Sequence, residues 1–296
     1  MRKSGVLLPI SSIPSKYGIG CFSKEAYEFV DWLKEAGQSY WQILPVGPTS
    51  YGDSPYQSFS TFAGNPYFID LELLREDGLL QSEEYVDVDW ESTPDKVNYE
   101  AVYYKRYDIL RKAADRFMEN PSPEYSDFCD EQKEWIYDYA LFMALKVHYG
   151  YRPWTTWEPC HRNVHEARGQ MDAFAVECGF WKWIQYTFMK QWRSVCDYAH
   201  EKGIRIIGDM PIYVAHDSMD VWRAPEQFLL DEYFNPTVVA GCPPDGFSPD
   251  GQLWGNPIYN WPLMEAQDFS WWMARVSGAF RLYDILRIDH FRGFAG

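Results

Sequence analysis

Residues 285–293 read ILRIDHFRG, an apolar run in which two charged side chains alternate with aliphatic ones. This alternation predicts a short strand, and side chains two residues apart on a strand point to the same face. Arg287 and Asp289 should therefore lie side by side, where a guanidinium favours the ionised form of a neighbouring carboxylate. An ionised, oriented carboxylate is what covalent glycosyl transfer needs as a nucleophile, but a structural ion pair at a strand end would show the same pattern.

Three earlier stretches have the same buried, apolar character, and helical patterns of apolar residues accompany them. The predicted strands are 5–10, 40–46, 204–209 and 285–289, and the accompanying helices are 23–37, 180–203 and 269–283. Repetition of helix, break and buried strand is typical of a parallel α/β architecture. The repeat count and helix lengths favour a (β/α)8 TIM-type barrel over a doubly wound sheet, with only about the first four barrel strands in this chain.

A long stretch between the second and third predicted strands has helical rather than strand character. Aromatic and apolar residues recur three or four apart over 100–117 and along a second long helix predicted to start at Pro123, and the stretch is too long for an ordinary connection. We therefore expect a mostly helical insertion at 71–175. It would separate residues 1–70, with strands 1 and 2, from residues 176–296, with strands 3 and 4 and a long loop at 241–260.

The composition narrows the class of ligand. The 296 residues carry a net charge of −16, and the basic residues are scattered rather than clustered. This balance argues against nucleic acid and anionic membranes as partners. Aromatic residues make up 18% of the chain, including 14 tryptophans and 22 tyrosines. An acidic, aromatic-rich protein suits a neutral polyhydroxylated ligand, because sugars stack their C–H faces on aromatic rings.

The cysteines predict a reducing compartment. No two of them form a C-x-x-C pair, and their wide spacing in a chain of this length is typical of free thiols. The apolar run at 6–8 is too short for a signal-peptide core, and no stretch has the uninterrupted length of a membrane span. We therefore expect a cytoplasmic protein.

Polar and aromatic side chains follow the predicted strands at their C-terminal ends, where barrel enzymes hold their functional groups. Asp209 and Asp289 end the third and fourth strands. The loops at 51–56 and 243–257 add further carboxylates, rings and amides to the same rim. Two of these positions have structural alternatives, since Asp209 could cap a strand end and Trp254 could anchor its loop in the core.

Four motifs in this order suggest a family. They are YGDSPY to GNPY at 51–67, GDMPIY at 208–213, GQLWGNP at 251–257 and RIDHFRG at 287–293. Together they resemble the 4-α-glucanotransferase family, the amylomaltases or disproportionating enzymes related to the α-amylases, from residue 5 to residue 296. The resemblance implies a barrel enzyme that moves α-1,4-glucan segments between maltooligosaccharides through a covalent glucosyl-enzyme, with no cofactor and no metal.

The resemblance also implies roles for individual positions. Asp289 matches the catalytic nucleophile, and Arg287 matches the arginine beside it. Asp209 matches an aspartate around the reacting sugar, and Tyr56 matches a tyrosine that stacks on that sugar. Further substrate-binding residues are predicted at Asp245, Phe247, Gln252, Trp254, Asn256, His290 and Tyr51.

These further residues differ in what they would do. The loop with Asp245, Phe247, Gln252 and Trp254 matches a flexible loop that covers the glucan and shapes the acceptor side. Phe247 could instead anchor that loop in the core. Tyr51 fits a surface or secondary glucan contact better than a catalytic role.

One departure from the family concerns the acid/base. The family's proton-transferring glutamate follows its fifth strand and a third carboxylate follows its seventh, and the sequence ends before either position. Retaining chemistry needs two carboxyl groups about 5 Å apart. We therefore expect this chain to be a fragment of a longer enzyme. Two alternatives remain, an α-glucan hydrolase of the same superfamily and, for this chain alone, a non-catalytic glucan binder.

A metal site is not favoured by the sequence. Cys160, His161 and His165 have ligand character, but no fourth ligand lies nearby, and an exposed loop accounts for them better. The alternating oxygen ligands of a Ca²⁺ loop are interrupted in residues 245–250.

Overall fold

A computed structural model describes residues 2–50, 52–246 and 248–294. The strands are β1 (Gly5–Leu7), β2 (Tyr40–Gln42), β3 (Arg205–Pro211), β4 (Val239–Cys242), β5 (Gln252–Pro257) and β6 (Ile285–Asp289). The helices are α1 (Lys24–Glu35), α2 (Leu71–Glu76), α3 (Tyr99–Glu119), α4 (Pro123–Glu131), α5 (Ile136–His148), α6 (Pro159–Arg162), α7 (Val164–Arg168), α8 (Ala175–Glu201), α9 (Met219–Arg223), α10 (Trp261–Ala266) and α11 (Ser270–Ala279).

Strands β1, β2, β3 and β6 form one parallel sheet in that order. The predicted parallel α/β class is confirmed. The carboxyl ends of the four strands meet at one edge of the sheet, which is where the functional side chains were expected. The register between the last two strands pairs Asp209 with Arg287 and Pro211 with Asp289.

Strands β1 and β2 are shorter than the apolar runs that predicted them. The run at 5–10 pairs only as far as Leu7, and the run at 40–46 only as far as Gln42. Ile43 and Val46 are nevertheless buried, with 0% and 2% of their surface exposed. Ile43 N still donates to the Ile207 carbonyl at 2.9 Å, so the apolar character of Val46 reflects burial after the strand ends.

Helix α8 connects the helical region to the sheet. It contacts β3 and packs against α1, α3, α4 and α5. Two of its glutamines are buried and pair with the backbone of the segment that follows β2. Gln185 accepts from Gly64 N at 2.6 Å and donates to Gly64 O at 3.0 Å. Gln191 forms the same pair of bonds with Asp70, at 2.7 and 3.1 Å. These amides satisfy buried backbone groups that have no strand partner.

The segment between β2 and α8 is largely helical and contributes to the same hydrophobic core as the sheet. The single long helix predicted from Pro123 is wrong, because α4 and α5 are separate helices with a break at 132–135. Within the break, Trp135 Nε1 donates to Gln132 Oε1 at 3.0 Å. The aromatic spacing continues through the break, so periodicity alone could not reveal it.

The loop expected at 241–260 contains regular structure. Strands β4 and β5 pair as an antiparallel hairpin with a register shift between Val239 and Gly241. The hairpin is exposed towards its tip, where Leu253 has 81% of its surface accessible, and buried at Asn256 and Pro257. It is therefore attached to the body of the protein by one end.

The cysteines and the helices bear on the cellular setting. All six cysteines are free thiols: Cys21, Cys129, Cys160, Cys178, Cys196 and Cys242. Within the described ranges, no helix combines the length and the apolar character that crossing a membrane requires.

Candidate active site

Arg287 links two carboxylates at the carboxyl edge of the sheet. Its Nη1 donates to Asp209 Oδ1 at 2.5 Å, and its Nη2 donates to Asp289 Oδ1 at 2.6 Å. Strand register explains the arrangement, because Arg287 lies opposite Asp209 on β3 and two residues from Asp289 on β6. The side chain of Asp209 is 1% exposed and that of Asp289 is 38% exposed. One carboxylate is therefore enclosed, and the other is open to a ligand.

The carboxylates of Asp209 and Asp289 stabilise the positive charge of Arg287. Burial disfavours the guanidinium, but its hydrogen bonds to Asp209 and Asp289 outweigh that effect and raise the pKa of Arg287 above its ordinary value. The side chain stays cationic and orients Asp289 by a charge-assisted hydrogen bond.

Tyr56 provides the second donor to the enclosed carboxylate. Its hydroxyl donates to Asp209 Oδ2 at 2.8 Å. Burial and then the hydrogen bond to Asp209 raise the pKa of the Tyr56 phenol, which therefore remains a protonated donor. Asp209 accepts from both Tyr56 and Arg287, so it acts as an acceptor that holds the site together. Both of its oxygens are thereby engaged with donors inside the protein.

A pocket of about 310 Å³ lies above this network. Its lining residues are Ser54, Tyr56, Gln57, Pro211, Ile212, Tyr213, Gln252, Trp254, Asn256, Asp289 and His290. Six predicted site residues, from three separate motifs, therefore border one cavity. Arg287 and Asp209 lie next to it through their bonds to Asp289 and Tyr56.

Three rings form one wall of the pocket beside Asp289. The rings of Trp254 and His290 meet edge to face, with centroids 4.9 Å apart at 89°. The ring of Tyr213 lies 6.4 Å from Trp254 and 6.5 Å from His290. His290 adopts a left-handed backbone conformation, with φ of 51°, immediately after β6. This wall brings the hairpin into contact with the residue next to Asp289.

The remaining predicted residues lie elsewhere or outside the described part of the chain. Asp245 is exposed near the hairpin tip, where its Oδ1 accepts from Ser248 N at 2.9 Å, and it does not line the pocket. Gln252, by contrast, borders the pocket and accepts from Trp254 Nε1 at 3.0 Å. Tyr51 and Phe247 are not among the described residues.

Five pocket residues were not predicted from the sequence, and two of them, Tyr213 and Gln57, make contacts that shape the site. Tyr213 closes the GDMPIY motif and contributes a ring, and its place four residues after Asp209 could have singled it out. Gln57 directly follows the YGDSPY motif and reaches the hairpin by donating to Asn256 at 3.1 Å. No sequence signal linked Gln57 to Asn256, because the two residues are 199 positions apart.

The residues that could bind a metal in the structure are not the same three that were considered from the sequence. The ligand atoms within 4.8 Å of one another belong to Glu158, Cys160 and His161, and His165 is not among them. His161 is buried in α6, so the expected exposed loop is wrong. Its Nδ1 lies 2.7 Å from the Tyr149 hydroxyl and its Nε2 3.0 Å from Gln170 Oε1. With both ring nitrogens engaged, His161 is a structural residue.

Comparison with known proteins places this geometry in a family. A family model described as 4-alpha-glucanotransferase matches residues 8–296. The 4-alpha-glucanotransferase of Clostridium butyricum is 50% identical over 288 residues, covering 96% of this chain and 59% of that protein. The 4-alpha-glucanotransferase of Thermus thermophilus is 48% identical over 300 residues, covering 99% of this chain and 59% of that protein. The chain thus spans 59% of the length of these curated relatives.

Solved structures give the same result for the fold. Amylomaltase from Streptococcus agalactiae, in complex with acarbose, matches with a TM-score of 0.95 and 45% identity, over 99% of this chain and 60% of that one. Amylomaltase from Corynebacterium glutamicum shares the fold with a TM-score of 0.75 and 20% identity, over 98% of this chain and 41% of that one. Since the family model covers nearly every residue, the chain belongs to the 4-alpha-glucanotransferase family, glycoside hydrolase family 77.

Proposed function

We propose that the protein containing this chain is a 4-α-glucanotransferase that moves α-1,4-glucan segments between maltooligosaccharides. One observation carries the proposal: Asp289 lies open to the pocket at the end of β6, with its Oδ1 held by Arg287 at 2.6 Å. Family membership supports the choice of glycosyl chemistry for this carboxylate. The acarbose complex of the amylomaltase from Streptococcus agalactiae supports an oligosaccharide as the class of ligand.

The reaction would proceed in two displacements at one carbon. An oxygen of Asp289 attacks the anomeric carbon of the glucan, the bond to the leaving 4-oxygen breaks, and a proton donor supplies the proton to that oxygen. The 4-hydroxyl of an acceptor glucan then displaces the carboxylate and returns the proton to the same group. Arg287 orients the nucleophile throughout, and Tyr56 holds Asp209 in place beneath it. We assign the proton donor to a second carboxyl group other than Asp209.

Transfer exceeds hydrolysis only where water is kept from the glycosyl-enzyme. Trp254 is suited to this, because it sits on the hairpin and packs against His290 beside the nucleophile. We propose that the β4–β5 hairpin acts as a cover over the sugar bound at Asp289. Gln252 and Asp245 are kept as proposed glucan contacts on this hairpin and its connecting loop.

The wider architecture is part of the same proposal. We take β1, β2, β3 and β6 as four consecutive strands of a (β/α)8 barrel. Residues 71–175 are the helical insertion between barrel segments 1–70 and 176–296. The six free thiols support a reducing, cytoplasmic setting.

Incubation with maltotriose tests the function directly. The native protein that contains this chain should release glucose together with oligomers longer than maltotriose, as resolved by anion-exchange chromatography. Glucose and maltose without longer products would instead identify the hydrolase alternative. The same assay on the 296-residue chain shows whether these residues catalyse alone. Calorimetry with the same chain measures whether they bind glucan.

A further inference from the structure

A buried side chain of the β4–β5 hairpin bonds to two segments outside the hairpin. Asn256, at the root of β5, is 5% exposed. Its Nδ2 donates to the Val214 carbonyl at 2.8 Å, and its Oδ1 accepts from Gln57 Nε2 at 3.1 Å. Each polar atom of this amide thus has a partner within the protein, so Asn256 is anchored on two sides.

These two bonds join three elements of the site. Gln57 belongs to the loop after β2, Val214 to the segment after β3, and Asn256 to the hairpin. We call this arrangement the Asn256 brace: Gln57 Nε2, the Asn256 amide and the Val214 carbonyl. A buried, satisfied amide of this kind fixes geometry, because each of its groups would be left unpaired if the hairpin moved.

The position of Trp254 depends on the same strand. Gln252, Trp254 and Asn256 alternate along β5, and all three border the pocket. Gly255, between the last two, has φ of 77°, a conformation that L side chains rarely adopt and at which the strand can turn. The hairpin is exposed towards its tip, and the brace anchors β5 two residues after Trp254, the ring that meets His290.

We propose that Asn256 is a positioning residue that holds the hairpin over Asp289 and so determines whether a sugar hydroxyl or water completes the reaction. The proposal rests on the transferase function proposed above. Loss of the brace would let Trp254 move away from His290, and water would then reach the glycosyl-enzyme more often.

The chain after the hairpin has anchors of its own, so the brace can be removed without releasing the fold. The Tyr259 hydroxyl donates to the Ile212 carbonyl at 2.5 Å. Leu229 N donates to the Ile258 carbonyl at 2.8 Å. An Asn256→Ala variant should therefore fold with a loosened hairpin.

The test compares Asn256→Ala and Gln57→Ala with a matched control, Asn260→Ala. Asn260 caps α10, where its Oδ1 accepts from Leu263 N at 3.4 Å and its Nδ2 donates to the Glu226 carbonyl at 3.2 Å. The control removes the same side chain and a similar pair of bonds without touching the brace. Two quantities are measured in the native protein that contains this chain: the ratio of hydrolysis to transfer with maltotriose, and hydrogen exchange of the amides at 239–257.

Loss of the brace should raise the ratio of hydrolysis to transfer about five- to tenfold in Asn256→Ala, the scale of one buried hydrogen bond. Exchange at 239–257 should accelerate in both brace variants. The double variant should add little to Asn256→Ala, because both residues act through one bond. Asn260→Ala should leave both quantities unchanged.

An Asn256→Ala protein that matches Asn260→Ala in both measurements would overturn the proposal, and so would faster exchange without any change in the ratio. Absence of transfer in the unmodified protein would refute the transferase function. It would also refute the role of Asn256 in setting the ratio of hydrolysis to transfer. The two failures can be told apart in the unmodified protein. If only the role of Asn256 is wrong, the unmodified protein still transfers glucan normally; if the proposed function is wrong, it does not.

Discussion

The guanidinium of Arg287 and the carboxylate of Asp289 lie two residues apart on one strand and are joined by a hydrogen bond of 2.6 Å. The second amino group of Arg287 binds the enclosed Asp209 at 2.5 Å. Arg287 therefore binds the open carboxylate of Asp289 and the buried carboxylate of Asp209 at the same time. Asp209 is in turn held by the hydroxyl of Tyr56. The orientation of the proposed nucleophile depends on this chain of contacts.

Replacing Arg287 by lysine should lower kcat/KM for transfer about 10²-fold, the scale expected when a reacting group is misplaced. Lysine carries the same charge, but it is a point charge and cannot reproduce the fork that reaches both carboxylates. Initial rates with maltotriose measure the effect. Arg205→Lys is the control, because Arg205 is exposed at the opposite end of β3. Equal rates in the two variants would contradict the bridging role.

Gly208→Ala should destabilise the protein by roughly 1–3 kcal/mol, as expected for overpacking. A methyl group at Gly208 would lie 2.1 Å from the ring of Tyr283, which is 8% exposed. Activity should fall as well, because Asp209 is the next residue. Gly179→Ala on α8 is the control, since its methyl group would meet Met118 Cε at 3.7 Å. Thermal unfolding and transfer rates distinguish the variants, and unchanged stability in Gly208→Ala would contradict the packing.

Glu84 should contribute stability that disappears in acid. Its two hydrogen bonds from Arg116, at 2.6 and 2.8 Å, lower the pKa of Glu84 from 4.5 to about 2. A depressed carboxyl pKa adds stability above the unfolded value of 4.5, and that stability is lost as the pH falls towards 2. Chemical denaturation of the native sequence and Glu84→Gln should therefore show different stabilities at about pH 7, and the difference should shrink as the pH falls from 4.5 towards 2.

The exposed neighbour Glu83 supplies the control for that measurement. Glu83→Gln should follow the native sequence at every pH, because no bond from Arg116 is removed. A gap between native and Glu84→Gln proteins that stayed constant with pH would show that the ion pair is not its source.

The sequence could predict those parts of the fold that repeat a local pattern. Strand β6 was placed correctly because Arg287 and Asp289 alternate with aliphatic residues within five positions. The parallel sheet followed from the recurrence of helix, break and buried strand. The contact between Asp209 and Arg287 depends on the register between two strands and joins residues 78 positions apart, and it was not predicted from the sequence.

The β4–β5 hairpin could not be predicted for a physical reason. Its strands hold Gly241, Gly255 and Pro257, and three of the six residues of β5 are exposed, so no alternating apolar pattern marks it. The hairpin is stabilised by the pairing of its two strands and by the attachment of Asn256 to Val214. The second of these contacts is non-local and joins residues 42 positions apart.

The identity of the nucleophile is tested most directly by trapping the covalent intermediate. A fluorinated glucosyl fluoride, which forms a glycosyl-enzyme faster than the glycosyl-enzyme breaks down, is incubated with the native protein that contains this chain, and the digested peptides are analysed by mass spectrometry. We predict one glucosyl adduct on the peptide that carries Asp289 and none in the Asp289→Asn variant, in which transfer should fall by at least about 10⁴-fold. An adduct on Asp209 or on any other carboxylate, or normal turnover of Asp289→Asn, would contradict the account.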